Sequence, residues 1–109
     1  VEALLVLDRR DDALAALDRL ALGTAPRDQA LRLSRGELRA AAGRCGDAEA
    51  DLGALVDAGP TAERALFARA SCRLRSGATA AGRDDLRSYL ERFPRGRYAA
   101  EARRALGTP

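Results

Sequence analysis

A small residue, a leucine and a proline recur in the same order three times along the 109-residue chain. The leucine lies four positions after the small residue, and the proline follows eight or nine positions later. The three sets, offset by 34 or 35 residues, are Ala13, Leu17 and Pro26; Ala48, Leu52 and Pro60; and Gly82, Leu86 and Pro94. Such a period is typical of stacked helical hairpins. The small residue lets two helices approach closely, the leucine fills the seam, and the proline ends the helix.

The composition favours helices throughout. Alanine and leucine dominate the apolar residues, whereas aromatic residues make up only 4% of the chain and isoleucine, tryptophan and methionine are absent. Alanine and leucine are strong helix formers, and the β-branched and aromatic residues that strands favour are scarce. We therefore expect an all-α protein, and the length indicates a single domain.

The pattern predicts seven helices, near 1–8, 11–22, 27–42, 46–58, 61–76, 79–92 and 96–106. Turns are expected at Asp8 to Arg10, Gly43 to Gly46, and Ser76 to Gly77. Because the linkers are short, sequential helices should pack antiparallel.

The spacing resembles that of tetratricopeptide repeats. The family places a glycine in the first helix, an alanine twelve residues later, a large apolar residue four after that and a proline eight further on. Two sets match, namely Gly36, Ala48, Leu52 and Pro60, and Ala70, Gly82, Leu86 and Pro94. The resemblance implies a right-handed superhelix of antiparallel hairpins over residues 1–109. Its parts would be a truncated repeat at 1–26, repeats at 27–60 and 61–94, and a capping helix at 95–107.

This sequence departs from the family at the first-helix tryptophan and tyrosine positions. These positions fall on Arg32 and Arg39 in one repeat, and on Leu66 and Arg73 in the next. The array is therefore expected to be a divergent member of the family.

The segment from Tyr89 to Leu106, YLERFPRGRYAAEARRAL, is similar to segments of bacterial cell-envelope repeat proteins. Similar segments occur in C-terminal repeat regions of anti-sigma and sigma-regulatory proteins from high-GC bacteria. The absence of lysine, isoleucine and asparagine also suggests a high-GC coding sequence. The chain starts in a helical pattern without methionine, which we interpret as a piece of a longer protein. The resemblance implies the C-terminal part of an envelope or sigma-regulatory protein, periplasmic or membrane-attached rather than cytoplasmic.

The residues argue against catalysis, cofactors and metals. Histidine and lysine are absent, so the usual general bases and Schiff-base nucleophiles are missing. Neighbouring helical residues point about 100° apart, so the pairs Asp11–Asp12 and Asp84–Asp85 do not converge. We expect the first pair near a helix N-terminus and the second on a solvated face.

Cys45 and Cys72 are the only sulfur-containing residues. Without histidine they do not complete a zinc site within one chain. They are interpreted as two small apolar residues filling gaps between helices. A disulfide, which would suit an envelope compartment, is the alternative.

Charge is distributed unevenly along the chain. Residues 1–60 carry 8 arginines and 11 acidic residues, whereas residues 61–109 carry 11 arginines and 5 acidic residues. The contrast would suit an acidic partner at the C-terminal end, or head-to-tail contacts in a homo-oligomer. Solvated helix faces are the favoured interpretation. Aromatic residues are sparse and arginines alternate with acidic residues, which argues against nucleic-acid binding. The sequence has no run of 18 apolar residues, so it predicts no membrane span.

The resemblance implies that the first helices of each pair line a concave groove. The groove residues would be Leu33, Glu37, Arg64, Phe67, Ser71, Arg75, Tyr98 and Glu101. Phe67 and Tyr98 would act as apolar anchors, and Arg64 and Arg75 would fix a carboxylate. Alternatively, Phe67 is core and the arginines are solvated. We expect a non-catalytic module that binds a protein or peptide and has no small-molecule substrate. A structural spacer or oligomerisation module and a helical-repeat nucleic-acid binder are the alternatives.

Overall fold

The computed structural model describes residues 2–23 and 25–107, with side chains from residue 9 onward. This part contains no strand, which confirms the expected all-α class. It contains six α-helices and one short 3₁₀ helix at Gly59–Thr61. The α-helices are α1 (Glu2–Asp18), α2 (Pro26–Ala41), α3 (Cys45–Gly53), α4 (Ala62–Arg75), α5 (Thr79–Arg92) and α6 (Ala99–Leu106).

The first helix differs from the prediction. Helices at 1–8 and 11–22 were expected on either side of a turn at Asp8 to Arg10, but α1 runs through that segment without a break. The segment holds charged residues and no glycine or proline, and charged residues alone do not end a helix. Asp11 and Asp12 therefore lie inside a helix and not near its N-terminus, and six helices replace the expected seven.

The predicted helix at 46–58 is also shorter in the structure. It ends at Gly53, and the residues up to 58 form successive turns held by backbone hydrogen bonds from Leu55 to Leu52 and from Ala58 to Leu55. The 3₁₀ helix that follows contains Pro60 and leads directly into α4.

Two turns of identical construction join α2 to α3 and α4 to α5. Gly43 and Gly77, 34 residues apart, adopt left-handed conformations with φ of 77° and 91°. Glycine adopts this region without the steric cost of a Cβ atom. In both turns the amide after the glycine donates to the carbonyl five residues earlier, at 2.8 Å. This bond closes the preceding helix and directs the chain into the next one.

Glycines set the close approach of the paired helices. A Cβ atom on Gly36 of α2 would lie only 2.7 Å from the Leu52 side chain of α3. A Cβ on Gly82 of α5 would lie 2.8 Å from Leu74 and 3.1 Å from the carbonyl oxygen of Ala70, both on α4. Each hairpin thus nests around a missing side chain, on the first helix in one pair and on the second helix in the next.

The core consists of two clusters that share α4. The first lies among α2, α3 and α4 and comprises Leu33, Ala40, Ala48, Leu52, Leu55, Ala65 and Cys72. The second lies among α4, α5 and α6 and comprises Leu66, Ala70, Leu86, Tyr89, Ala99 and Ala102. Alanines bury little area each, so close helix contact supplies much of the stabilisation.

A disulfide joins Cys45, the first residue of α3, to Cys72 on α4. The S–S distance is 2.08 Å and the Cα atoms are 5.5 Å apart. The interpretation of two unlinked small residues is therefore wrong, and the alternative pairing is present. The bond links one hairpin covalently to the first helix of the next.

Candidate partner-binding groove

A hollow of about 310 Å³ lies between α2, α4 and the residue that precedes α6. We call it the main hollow. The family resemblance implies eight groove residues, and six of them line this hollow: Glu37, Arg64, Phe67, Ser71, Arg75 and Tyr98. The remaining lining residues are Ala40, Ala41 and Ala68. Their short side chains leave the floor open.

The helical repeat explains why these residues share one surface. Arg64, Phe67, Ser71 and Arg75 follow one another at intervals of three or four residues, so they form a single stripe along α4. Glu37 and Ala41 form a matching stripe on α2, which contacts α4. The two stripes are the facing walls of the main hollow.

An aromatic pair closes one end of the hollow. The rings of Phe67 and Tyr98 stack with centroids 4.5 Å apart and planes inclined by only 6°. Tyr89 supports Phe67 from the core side, with ring centroids 5.7 Å apart. Phe67 and Tyr98 are both half-buried and pack against the second core cluster. Phe67 is therefore part of the core packing and of the exposed wall at once.

The two arginines that were expected to act together differ in their surroundings. Arg64 forms two hydrogen bonds with Glu37 across the hollow, from Nε at 3.2 Å and from Nη2 at 2.6 Å. Arg75 has no carboxylate within 4 Å in the part of the chain that is described; its Nε lies 3.5 Å from the carbonyl oxygen of Ser71. Since Glu37 already neutralises Arg64, the positive charge available to a ligand is that of Arg75.

Two predicted residues lie outside the main hollow. Leu33 is 5% exposed and belongs to the first core cluster, so it is not available to a partner. Glu101 is exposed on α6 but does not line the hollow. Leu33 and Glu101 are therefore the two predicted groove residues that do not line the main hollow.

The structure also contains two buried ionic clusters that the sequence analysis did not anticipate. Asp51 is 1% exposed and accepts hydrogen bonds from Arg35 at 2.7 and 2.8 Å and from Arg39 at 2.8 Å. The hydrogen bonding between Arg35 and the Asp51 carboxylate raises the pKa of Arg35 above its ordinary value. Each cluster joins the first helix of a hairpin to the second, and a bidentate arginine holds the carboxylate.

The second cluster repeats the first 34 residues later. Asp85 is 6% exposed and accepts from Arg69 at 2.9 and 3.0 Å and from Arg73 at 2.9 Å. The prediction that Asp85 lies on a solvated face is therefore wrong, whereas Asp84 is exposed and pairs with Arg87. The identical 34-residue offsets of the two arginines and the aspartate were visible in the sequence and are the signal that was missed.

Arg39 and Arg73 also extend to the preceding helical unit. Arg39 donates to Asp18 of α1 at 2.8 Å, and Arg73 donates to Glu49 of α3. These two arginines occupy the position where the resembling family has a tyrosine. A charged network at these positions connects successive units.

The described residues show neither a metal site nor a membrane-spanning helix. No group of three or more histidine, cysteine or acidic side chains is placed to hold a metal ion in the described residues. Within residues 2–23 and 25–107, no helix combines the length and apolar character needed to cross a membrane. Neither family models, nor curated proteins, nor solved structures gave a match to this chain. The main hollow is therefore interpreted from its own geometry.

Proposed function

We propose that this chain is a non-catalytic protein–protein interaction module that captures an extended segment of a partner protein in the main hollow. One observation carries the proposal: a half-exposed stacked aromatic pair lies in the same hollow as Arg75, whose charge has no carboxylate partner among the described residues. Aromatic side chains and arginine are the residue types that dominate binding energy at protein interfaces. An apolar side chain would pack on the rings while a carboxylate pairs with Arg75.

A tetratricopeptide-like right-handed superhelix is the architecture we propose for this module. In its favour, α4 contacts α2 and α3 of the preceding hairpin as well as its own partner α5. The glycine turns and the two ionic clusters also repeat with a 34-residue offset. In stacked helical repeats, the first helices lie side by side and form extended concave surfaces.

An oxidising compartment is the setting we propose. The Cys45–Cys72 disulfide supports it, because disulfides persist in secreted and periplasmic proteins and are rare in the cytosol. A bacterial envelope protein meets this requirement, and the segment at 89–106 resembles repeats from such proteins. The module would then be the C-terminal part of a larger envelope or sigma-factor-regulatory protein.

Selection of random peptides displayed on phage, with the oxidised protein immobilised, tests the proposed function. We expect peptides to be enriched on the parent and to bind Arg75→Glu about tenfold to a hundredfold more weakly, because a hydrogen bond to a charged group contributes about 1.5–3 kcal/mol. Arg87→Glu is the matched control, since Arg87 is exposed on α5 and does not line the hollow. Equal binding by the parent and both variants would exclude the main hollow as the site.

A further inference from the structure

A second, smaller hollow lies on the other side of α2. It has a volume of about 50 Å³ and is lined by Arg10, Asp11, Leu14, Leu38, Ala41 and Ala42. Ala41 lines both this hollow and the main hollow. The two hollows are therefore adjacent, and only the short side chains at the end of α2 separate them.

The second hollow has an apolar floor and a charged rim. Leu14 is 6% exposed and Leu38 is half-buried, whereas Arg10 and Asp11 are exposed. Its volume is several times the space that one water molecule needs. Neither Arg10 nor Asp11 forms an ion pair within the described ranges. Both remain available to polar groups of a ligand.

The position of α2 fixes the spacing of the two hollows. The main hollow lies between α2 and α4, and the second lies between α2 and α1. Packed helices lie about 8–10 Å apart, so the two hollows should be separated by about the same distance. A chain in the extended polyproline II conformation advances about 3.1 Å per residue with three residues per turn, so side chains three positions apart face the same way and lie about 9 Å apart.

We infer that the two hollows form one continuous groove, and that its ligand is an acidic segment in the extended polyproline II conformation with two apolar side chains three positions apart. One apolar side chain packs against Phe67 and Tyr98 in the main hollow, and the other enters the hollow floored by Leu14. A carboxylate close to the first side chain pairs with Arg75, which is the charge complementarity that selects an acidic segment. This inference rests on the proposed function and adds the chemistry of the partner.

Two alanines allow the hollows to be filled separately. Ala42 lines only the second hollow, and Ala68 lines only the main hollow. Ala42→Leu and Ala68→Leu each add an aliphatic side chain without changing charge. Ala42 is exposed, so its substitution leaves the core intact. If Ala68→Leu disturbs the folding of α4, Arg75→Glu provides a second test of the main hollow.

The probes are synthetic versions of the peptides that phage selection enriches on the parent, and their affinities are measured by fluorescence anisotropy. We expect the enriched peptides to share two apolar positions three residues apart together with an acidic residue. Ala42→Leu should weaken binding about tenfold or more and remove the preference at one apolar position only. Ala68→Leu should remove the preference at the other. Circular dichroism of each variant checks that helix content is unchanged.

The outcomes separate this inference from the proposed function. If Ala42→Leu binds every peptide as the parent does while Ala68→Leu or Arg75→Glu binds weakly, the second hollow takes no part and the inference fails alone. If none of these variants changes binding, or if the parent enriches no peptide, the proposed function fails and the inference fails with it.

Discussion

Replacement of Asp85 by asparagine tests whether the buried ionic clusters hold the hairpins together. The Asp85 carboxylate accepts three hydrogen bonds from Arg69 and Arg73, at 2.9–3.0 Å, and is almost fully buried. Asparagine keeps the shape but removes the charge and directs an amide toward a guanidinium group. Removing one partner of a buried ion pair costs about 3–5 kcal/mol. Here the guanidinium group of Arg69 loses its carboxylate, whereas that of Arg73 keeps Glu49.

This loss is large compared with the stability of a small domain, about 5–15 kcal/mol. With an unfolding entropy of about 2.1 cal/mol/K per residue, a loss of 3–5 kcal/mol lowers the melting temperature of a chain of this length by roughly 13–22 °C. Asp84→Asn is the matched control, because the side chain of Asp84 is 76% exposed and its pair with Arg87 lies on the surface. Its expected loss is below about 0.5 kcal/mol.

Urea unfolding followed by circular dichroism, with the disulfide intact, gives both free energies. We expect Asp85→Asn to shift the unfolding midpoint strongly and Asp84→Asn to leave it nearly unchanged. Similar small losses in the two variants would mean that the cluster is effectively solvated and does not hold the hairpin together.

Three further predictions concern other parts of the fold. Replacing Cys45 and Cys72 together by serine should lower the free energy of unfolding by about 3–4 kcal/mol, because the disulfide no longer restricts the unfolded chain. Urea unfolding measures this loss. Gly96→Ala should destabilise the protein by about 1–3 kcal/mol, because the added Cβ would overlap the hydroxyl of Tyr89. Gly46→Ala should stabilise it by up to about 1 kcal/mol, because Gly46 lies in α3 with open space around it. Thermal melts of the two variants measure both effects. Burial and a hydrogen bond to the Glu63 carboxylate raise the pKa of Tyr89 to about 12. The contribution of Tyr89 to stability should therefore be complete below pH 10 and be lost as the pH rises toward 12. Alkaline unfolding of the parent and of Tyr89→Phe tests this, and identical pH dependence of the two would contradict it.

Much of the helical layout from residue 26 onward follows from the 34-residue period. The starts of α2, α4 and α5 lie within a residue of their predicted positions, because prolines and glycine turns mark them. The stripe on α4 was also predictable, since spacing along a helix determines which residues share a face. Six of the eight predicted groove residues therefore line one hollow.

Two of the errors concern charged residues, and a third concerns the cysteines. Charged residues such as Asp85 and Arg73 were assigned to solvent because isolated charges are rarely buried, but a matched pair of arginines and a carboxylate is buried as a unit. Likewise, charged residues at 8–10 were read as a turn although they are compatible with a helix. The pairing of Cys45 with Cys72 depends on tertiary proximity, which spacing along the chain does not specify.

Methyl NMR of alanine-labelled protein can show whether a partner segment occupies the groove on the α2 and α4 face. On titration with a peptide enriched by phage selection, we expect the methyl resonances of Ala41 and Ala68 to shift together. The resonance of Ala80, exposed on the outer helix α5 and outside both hollows, should stay in place. Shifts confined to Ala80 and other positions outside the groove, with Ala41 and Ala68 unmoved, would mean that the partner segment binds elsewhere.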